Sequence, residues 1–366
     1  MPHKIKVLII DDSALIRKLL KEILNSDPMI EVVGTAEDPI FARDKIKALN
    51  PDVLTLDIEM PRMDGVTFLR NLMRLRPMPV VMISTLTEAG ADVTFEALEL
   101  GAVDFISKPK IDVKEQLQTY SSDIIEKVKI ASTAKVRPYV EIKKSTKVTE
   151  KYSADVILKK RSPGIQHSSS SHLRTTEKII ALGASTGGTE AIKEVLLTMP
   201  ADAPGMVISQ HIPAAFSGAF AKRMNDNCAM HVHHAIDGQQ ILPGNVYIAP
   251  GSHHLLVEKS GARYICRLNA GPTVNRHKPS VDVMFRSVVQ SAGPNAIGVM
   301  LTGMGADGAE GMKEMHDIGS PTVAQDENSS VVWGMPGSAV KLGAVDHIVS
   351  LDKITEKMLQ LCKKIS

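Results

Sequence analysis

The sequence predicts an α/β protein built on two doubly wound, mainly parallel sheets, the first of five strands. Three observations carry this. The chain has 366 residues, about twice an ordinary compact domain. In both halves short apolar runs alternate with helically spaced stretches, the pattern of repeated βα units around a parallel sheet. Between the halves, residues 135–176 hold ten Lys or Arg against three Asp or Glu, with Ser162-Pro163-Gly164 and serines at 168–171. That composition does not support a core of its own. The expected division is a first domain over 1–134, a basic linker over 135–176 and a second domain over 177–366.

In the first domain the apolar runs predict strands at 4–10, 30–35, 52–57, 79–84 and 102–107. Leu15, Leu19, Leu20, Ile23 and Leu24 predict one buried helix face between the first two. Five βα units in about 130 residues match a flavodoxin-like sheet. In the second domain strands are expected at 178–184, 205–210 and 296–302, with a helix over 188–198 and a closing amphipathic helix over 352–364. Residues 230–290 are rich in Gly, Pro and His. Their short runs, such as Val246-Tyr247-Ile248-Ala249, suggest an antiparallel insertion.

Composition narrows the functional classes. Forty-three basic and 41 acidic residues leave a formal charge of +2, which argues against a dedicated nucleic-acid binder. No apolar run reaches the roughly 18 residues of a membrane span, and Val7-Leu8-Ile9-Ile10 is too short for a signal-peptide core. Three widely spaced cysteines, Cys228, Cys266 and Cys362, fit a reducing cytoplasm better than a disulfide framework.

Asp11 and Asp12 follow the first expected strand, and Asp57 ends the third. At the carboxyl ends of parallel strands such groups converge, and clustered carboxylates are stable mainly around a hard cation such as Mg2+. Lys108 follows the fifth strand and Ser84 ends the fourth, supplying a cation and a hydroxyl for an anion built on Asp57. With Met60-Pro61, Asp64-Gly65 and Lys108-Pro109 in order, residues 4 to about 125 resemble the receiver domain of two-component response regulators. The resemblance implies that Asp57 accepts a phosphoryl group from a histidine kinase. Asp12, Asp57 and the Glu59 carbonyl would hold Mg2+, Asp11 acting partly through water, and Ser84 and Lys108 would contact the phosphoryl oxygens. Phe105 takes the place of the family's switch aromatic.

In the second domain, Ile179-Ile180-Ala181-Leu182 runs into Gly183-Ala184-Ser185-Thr186-Gly187-Gly188 and then a helix. Small residues around a sharp turn would display Ser185 beside a helix N-terminus. The stretch fits G-x-S-x-G and not the dinucleotide pattern G-x-G-x-x-G, because position 185 is Ser. A serine nucleophile needs a base, and His211 closes the next expected strand. Asp307, in Thr302-Gly303-Met304-Gly305-Ala306-Asp307-Gly308, lies just past a third strand and would orient the imidazole.

These stretches, with Gln210-His211-Ile212-Pro213, Ala249-Pro250-Gly251 with His254, and Gly271 through Arg276-His277-Lys278-Pro279-Ser280-Val281-Asp282, resemble the chemotaxis protein-glutamate methylesterases, the CheB family, over about 178–360. The resemblance implies hydrolysis of glutamate γ-methyl esters on methyl-accepting chemoreceptors and deamidation of receptor glutamines, without a cofactor for the hydrolysis. Met304 N–H, with Thr186 as a weaker candidate, would hold the oxyanion; Arg276 and His277 would shape a receptor groove or serve structure alone. It leaves no role for nucleic acid or membrane insertion. A DNA-binding output region would need a basic recognition helix, whereas 177–366 holds 16 basic and 17 acidic residues.

Overall fold

The computed structural model describes residues 4–85, 88–108, 114–136 and 178–364. The N-terminal half alternates strictly: β1 (Ile5–Ile10), α1 (Ala14–Asn25), β2 (Ile30–Ala36), α2 (Pro39–Leu49), β3 (Val53–Asp57), α3 (Gly65–Leu75), β4 (Val80–Ser84), α4 (Glu88–Glu99), β5 (Asp104–Ser107) and α5 (Lys114–Thr133). Its sheet runs β2-β1-β3-β4-β5 with every pairing parallel, the flavodoxin-like order. β3 and β4 are buried along their whole length, as strands covered on both faces of a parallel sheet are. Ser13, Asp38 and Asp64 cap α1, α2 and α3 by accepting backbone N–H bonds, so each helix starts directly above the sheet's carboxyl edge.

α1 buries Ile16, Leu20, Ile23 and Leu24, while Leu15 is 57% exposed. The expected face was therefore shifted by one position at its start. Positions 16, 20, 23 and 24 keep the i, i+4, i+7, i+8 spacing, and Leu15 sits about 100° away from Ile16 around the helix.

The C-terminal half continues with β6 (Ile179–Ala184), α6 (Gly188–Thr198), β7 (Gly205–Gln210), α7 (Ala214–Asn227), β8 (His231–His234) and β9 (Asn245–Ile248). A hairpin of β10 (His254–Ser260) and β11 (Arg263–Asn269) follows, then α8 (Val281–Ser291), β12 (Ala296–Met300) and α9 (Ala309–Asp317). β13 (Thr322–Gln325), α10 (Met335–Lys341), β14 (His347–Val349) and α11 (Leu351–Lys364) complete it. The sheet order is β14-β13-β12-β6-β7-β9-β8, with parallel pairing throughout.

Of the strands in the insertion expected over 230–290, β10 and β11 pair antiparallel, and isolated antiparallel bridges join Gln240 to Ile265 and Val274 to His277. Val246–Ile248 pairs parallel to β7, and residues 281–291 form a helix. A four-residue apolar run reads the same in either strand direction, so its composition alone does not set the pairing. The expected linker falls outside the described residues apart from Lys135 and Val136, as does Pro109. Among the described residues no helix is long and apolar enough to cross a membrane.

The two halves meet through α4 and β5. Phe95 packs against Phe216 and Phe220 with ring centroids 6.4 and 5.6 Å apart, and Phe105 lies 4.7 Å from Phe216. All four rings are buried, so this contact is a desolvated aromatic patch.

Candidate active site

The central strands β12, β6 and β7 are neighbours, and each ends in a loop that carries one member of a polar trio. Ser185 follows β6, His211 follows β7 and Asp307 lies in the loop after β12. The turn holding Ser185 needs its glycines. Gly187 has φ 75°, and a Cβ at Gly183 would lie 2.2 Å from Val281 Cγ1.

His211 Nδ1 lies 3.1 Å from Ser185 Oγ, and its Nε2 lies 2.8 Å from Asp307 Oδ2. Asp307 accepts four further bonds within hydrogen-bonding distance, at 2.8 Å from Asn275 Nδ2, 2.7 Å from Ser280 Oγ, 2.7 Å from Val281 N–H and 3.4 Å from Asp282 N–H. Burial pushes its carboxyl up, but bonds from His211, Asn275 and Val281 outweigh that and hold it well below the usual carboxylate range. An ionised Asp307 favours the imidazole tautomer with Nε2–H toward itself, which would leave Nδ1 as an acceptor facing Ser185 Oγ. The Gln210 amide donates to the carbonyls of Ser185 and His211, at 2.9 and 3.1 Å, and ties the two loops together.

Of the expected oxyanion donors, Thr186 is 5% exposed and its Oγ1 is committed to Asp104 Oδ2 of the N-terminal half at 2.9 Å. Around the turn, Ser185 N–H goes to Thr302 C=O and Gly303 N–H to Val332 C=O, and Met304 directly follows Gly303. Asn275, Ser280 and Gln210 lie in stretches that carry the family resemblance, but no role at the site was expected of them.

The acidic trio also assembles. Asp11, Asp12 and Asp57 bring ligand oxygens within 4.8 Å of one another. Asp57 accepts from Lys108 Nζ at 2.7 Å. Burial and the Asp11 charge push Asp57 up to about 6, with Lys108 pulling the other way. Burial likewise raises Asp11, whose Oδ2 is buried without a hydrogen-bond partner. An orphaned carboxylate oxygen inside a cluster of like charges fits a hard divalent cation such as Mg2+. A cleft of about 520 Å³ opens beside it, lined by Asp12, Glu59 and Asp64 and by Ile58, Met60 and Val93. Ser84 Oγ accepts from Thr94 Oγ1 at 2.8 Å, so this rim is wired to α4 one residue before Phe95. Phe105 is 5% exposed and held against the C-terminal half.

Polar contacts close the seam between the halves. Glu99 at the end of α4 takes Lys193 and, at 2.5 Å, Arg223 Nη2. Burial pushes the Glu99 carboxyl up, and the two cations more than reverse it. Lys127 Nζ holds Asp104 Oδ1 at 2.9 Å and the Phe105 carbonyl at 2.7 Å, so the carboxylate touching Thr186 is itself anchored from α5. The expected site residues thus gather in two clusters, and the seam reaches the neighbour of Ser185.

The family description CheB methylesterase matches residues 180–358, and response regulator receiver domain matches 7–120. A Hydrogenovibrio crunogenus protein named protein-glutamate methylesterase/protein-glutamine glutaminase is 61% identical over 380 residues, covering 99% of this chain and 100% of that one. A Xanthomonas campestris protein of the same name, numbered 1, is 58% identical over 358 residues, covering 98% of this chain and 97% of its own. One from Nitrosomonas europaea is 54% identical over 356 residues, with 97% and 96% covered.

Proposed function

The chain belongs to the CheB methylesterase family and carries a response regulator receiver domain, and from this we propose a phosphorylation-controlled hydrolase of chemotaxis adaptation with Ser185, His211 and Asp307 as its catalytic triad. Its activity is that of a protein-glutamate methylesterase and protein-glutamine glutaminase. The substrates are glutamate γ-methyl esters and glutamine amides on methyl-accepting chemoreceptors, met in the cytoplasm. The observation that carries the reading is His211 suspended between Ser185 Oγ and Asp307 Oδ2, at 3.1 and 2.8 Å.

Ser185 Oγ attacks the acyl carbon as His211 Nδ1 takes its proton, and the tetrahedral oxyanion gathers against Met304 N–H with Thr186 beside it. His211 then returns the proton to the leaving oxygen and methanol departs, or to the leaving nitrogen and ammonia departs. A water, deprotonated by the same imidazole, attacks the acyl-enzyme and frees Ser185. Asp307 stays ionised throughout and stabilises the imidazolium.

In the receiver, Asp57 accepts a phosphoryl group from a histidine kinase. Asp11, Asp12, Asp57 and the Glu59 carbonyl would hold Mg2+, which when bound neutralises phosphoryl charge as the group is transferred. Lys108 and Ser84 meet the phosphoryl oxygens. Ser84 then leaves Thr94, and the α4 seam with Phe95 and Glu99 loosens from α6 and α7. Until that happens the receiver narrows access beside Ser185, through Asp104 on Thr186. The division into 1–134, 135–176 and 177–366 gives the switch, the tether and the enzyme. The testing experiment is methanol release from methylated receptor membranes by Ser185→Ala, which should fall to background; full retention would move the nucleophile elsewhere.

A further inference from the structure

His277 lies outside the triad, yet its ring is stacked on that of His211, with centroids 3.7 Å apart and planes 11° from parallel. The turn that presents it is tightly built. Val274 and His277 exchange backbone bonds at 3.0 and 2.9 Å, and the two residues between them, Asn275 and Arg276, have φ of 52° and 69°. Two consecutive non-glycine residues in the left-handed region are a costly conformation, of the kind that persists where the surroundings hold it for a purpose.

The same turn grips the triad at two points. Asn275 donates to Asp307 Oδ1 at 2.8 Å, and His277 covers one face of His211. Among the described residues the His277 ring takes no hydrogen bond. Its specific contact is the flat face itself.

We propose that His277 is a positioning residue for the hydrolysis: its ring is the platform that keeps His211 in line between Ser185 and Asp307 while His211 gains and loses a proton. This rests on the triad assigned above. A stacked ring blocks rotation of the imidazole out of line, and small errors in such alignment are expensive in rate. A neutral ring also favours a cation on its face, so it supports the imidazolium that forms when Ser185 attacks. The charge state suits this task. Burial pushes His277 down to about 4, and His211 just after β7, Lys127 on α5 and Arg276 in the turn all act in the same direction, with Asp307 alone opposing them. The platform is therefore uncharged across the working pH range.

The test uses the full chain with Mg2+ and acetyl phosphate, methylated receptor membranes as substrate, and kcat and KM for methanol release from pH 5 to 9. Four variants are compared with wild type: His277→Phe, His277→Gln, His277→Ala and Ser185→Ala. His277→Phe keeps a flat neutral ring and should stay within about threefold of the wild-type kcat, with a superimposable pH profile. His277→Ala and His277→Gln should lose about 10- to 100-fold in kcat at nearly constant KM. The proposal is overturned if His277→Phe is as impaired as His277→Ala or loses a limb of the pH profile, since a ring nitrogen would then be in use. It is also overturned if the losses lie in KM alone, or if the Gln and Ala variants match wild type. Far-UV circular dichroism of each variant sets aside any that misfolds, and Phe against Gln decides the matter if Ala does. Activity retained by Ser185→Ala would instead reject the triad, whatever the His277 variants do.

Discussion

The protein carries two polar sites at the carboxyl edges of two parallel sheets, and they are finished to different degrees. Asp307 accepts bonds from Asn275, Ser280, Val281 and His211 and is held ionised, so its carboxylate is satisfied by its own neighbours. The carboxyls of Asp57 and Asp11 are pushed up by burial and by a neighbouring carboxylate, and Asp11 Oδ2 has no partner. The first site is preorganised, and in the proposed reading it waits for substrate and for release of the receiver's contact on Thr186. The other has carboxylates that its own neighbours do not balance, which suits the proposed input of a cation and a phosphoryl group. The seam through Phe95, Glu99 and Asp104 runs from the receiver's α4 and β5 to Thr186, the residue after Ser185.

The largest effects should come from breaking the finished site. Ser185→Ala should reduce methanol release by a factor on the order of 10⁶, and Asp307→Asn by about 10⁴, because the wrong imidazole tautomer is then favoured. Single-turnover methanol assays measure both, and a loss below tenfold for either would remove that residue from the chemistry.

Breaking the unfinished site should leave basal hydrolysis untouched and erase its control. With Mg2+ chelated, acetyl phosphate should no longer accelerate wild type, and phosphoryl incorporation on intact-mass spectra should vanish. Acceleration that survives chelation would mean that the acidic trio does not need a cation.

Opening the seam should blur the distinction between the two. Glu99→Gln removes the carboxylate that Lys193 and Arg223 share across the seam, leaving Lys193 only its 3.9 Å contact with Glu190, and should raise the unphosphorylated rate about tenfold by shifting the closed population. Phe95→Ala should act in the same direction. An unchanged or lower rate in both variants would show that these contacts do not restrain the enzyme.

The smallest effect is on stability. A buried acid raised from 3.8 to about 6 binds more protons folded than unfolded in that interval, so its contribution is intact below about pH 4 and is lost as pH rises through 6. Without Mg2+, Asp57→Asn should therefore melt above wild type at pH 7.5, and the gap should close toward pH 4. Melting curves at the two pH values check this, and a gap that widens on acidification would contradict the account of Asp57.

Both sites were legible in the sequence because their residues sit within a few positions of short apolar, β-branched runs bounded by turn residues, the mark of a buried strand. Ser185 after Ile179–Leu182 and Asp57 after Val53–Leu56 are the clearest cases. Strand direction was not legible: Val246–Ala249 has the right composition for either pairing and proved parallel. β13 and β14 are four and three residues long, too short to show a period. The seam was hidden for another reason. Phe95 and Glu99 look like ordinary residues of an amphipathic helix, and nothing local says that their partners lie on α6 and α7. His277 was visible as a polar residue in a Gly- and Pro-rich loop, but its stacking depends on a turn with two positive φ values that composition does not announce.

The most direct test of the central claim, that the triad is built and the receiver restrains it, is the initial rate of methanol release from methylated receptor membranes. It would be measured for wild type and Asp57→Ala, each with and without acetyl phosphate and Mg2+. The account predicts the same low rate for both proteins without the phosphodonor and acceleration of wild type alone with it. Equal rates for the two proteins under all conditions would contradict it.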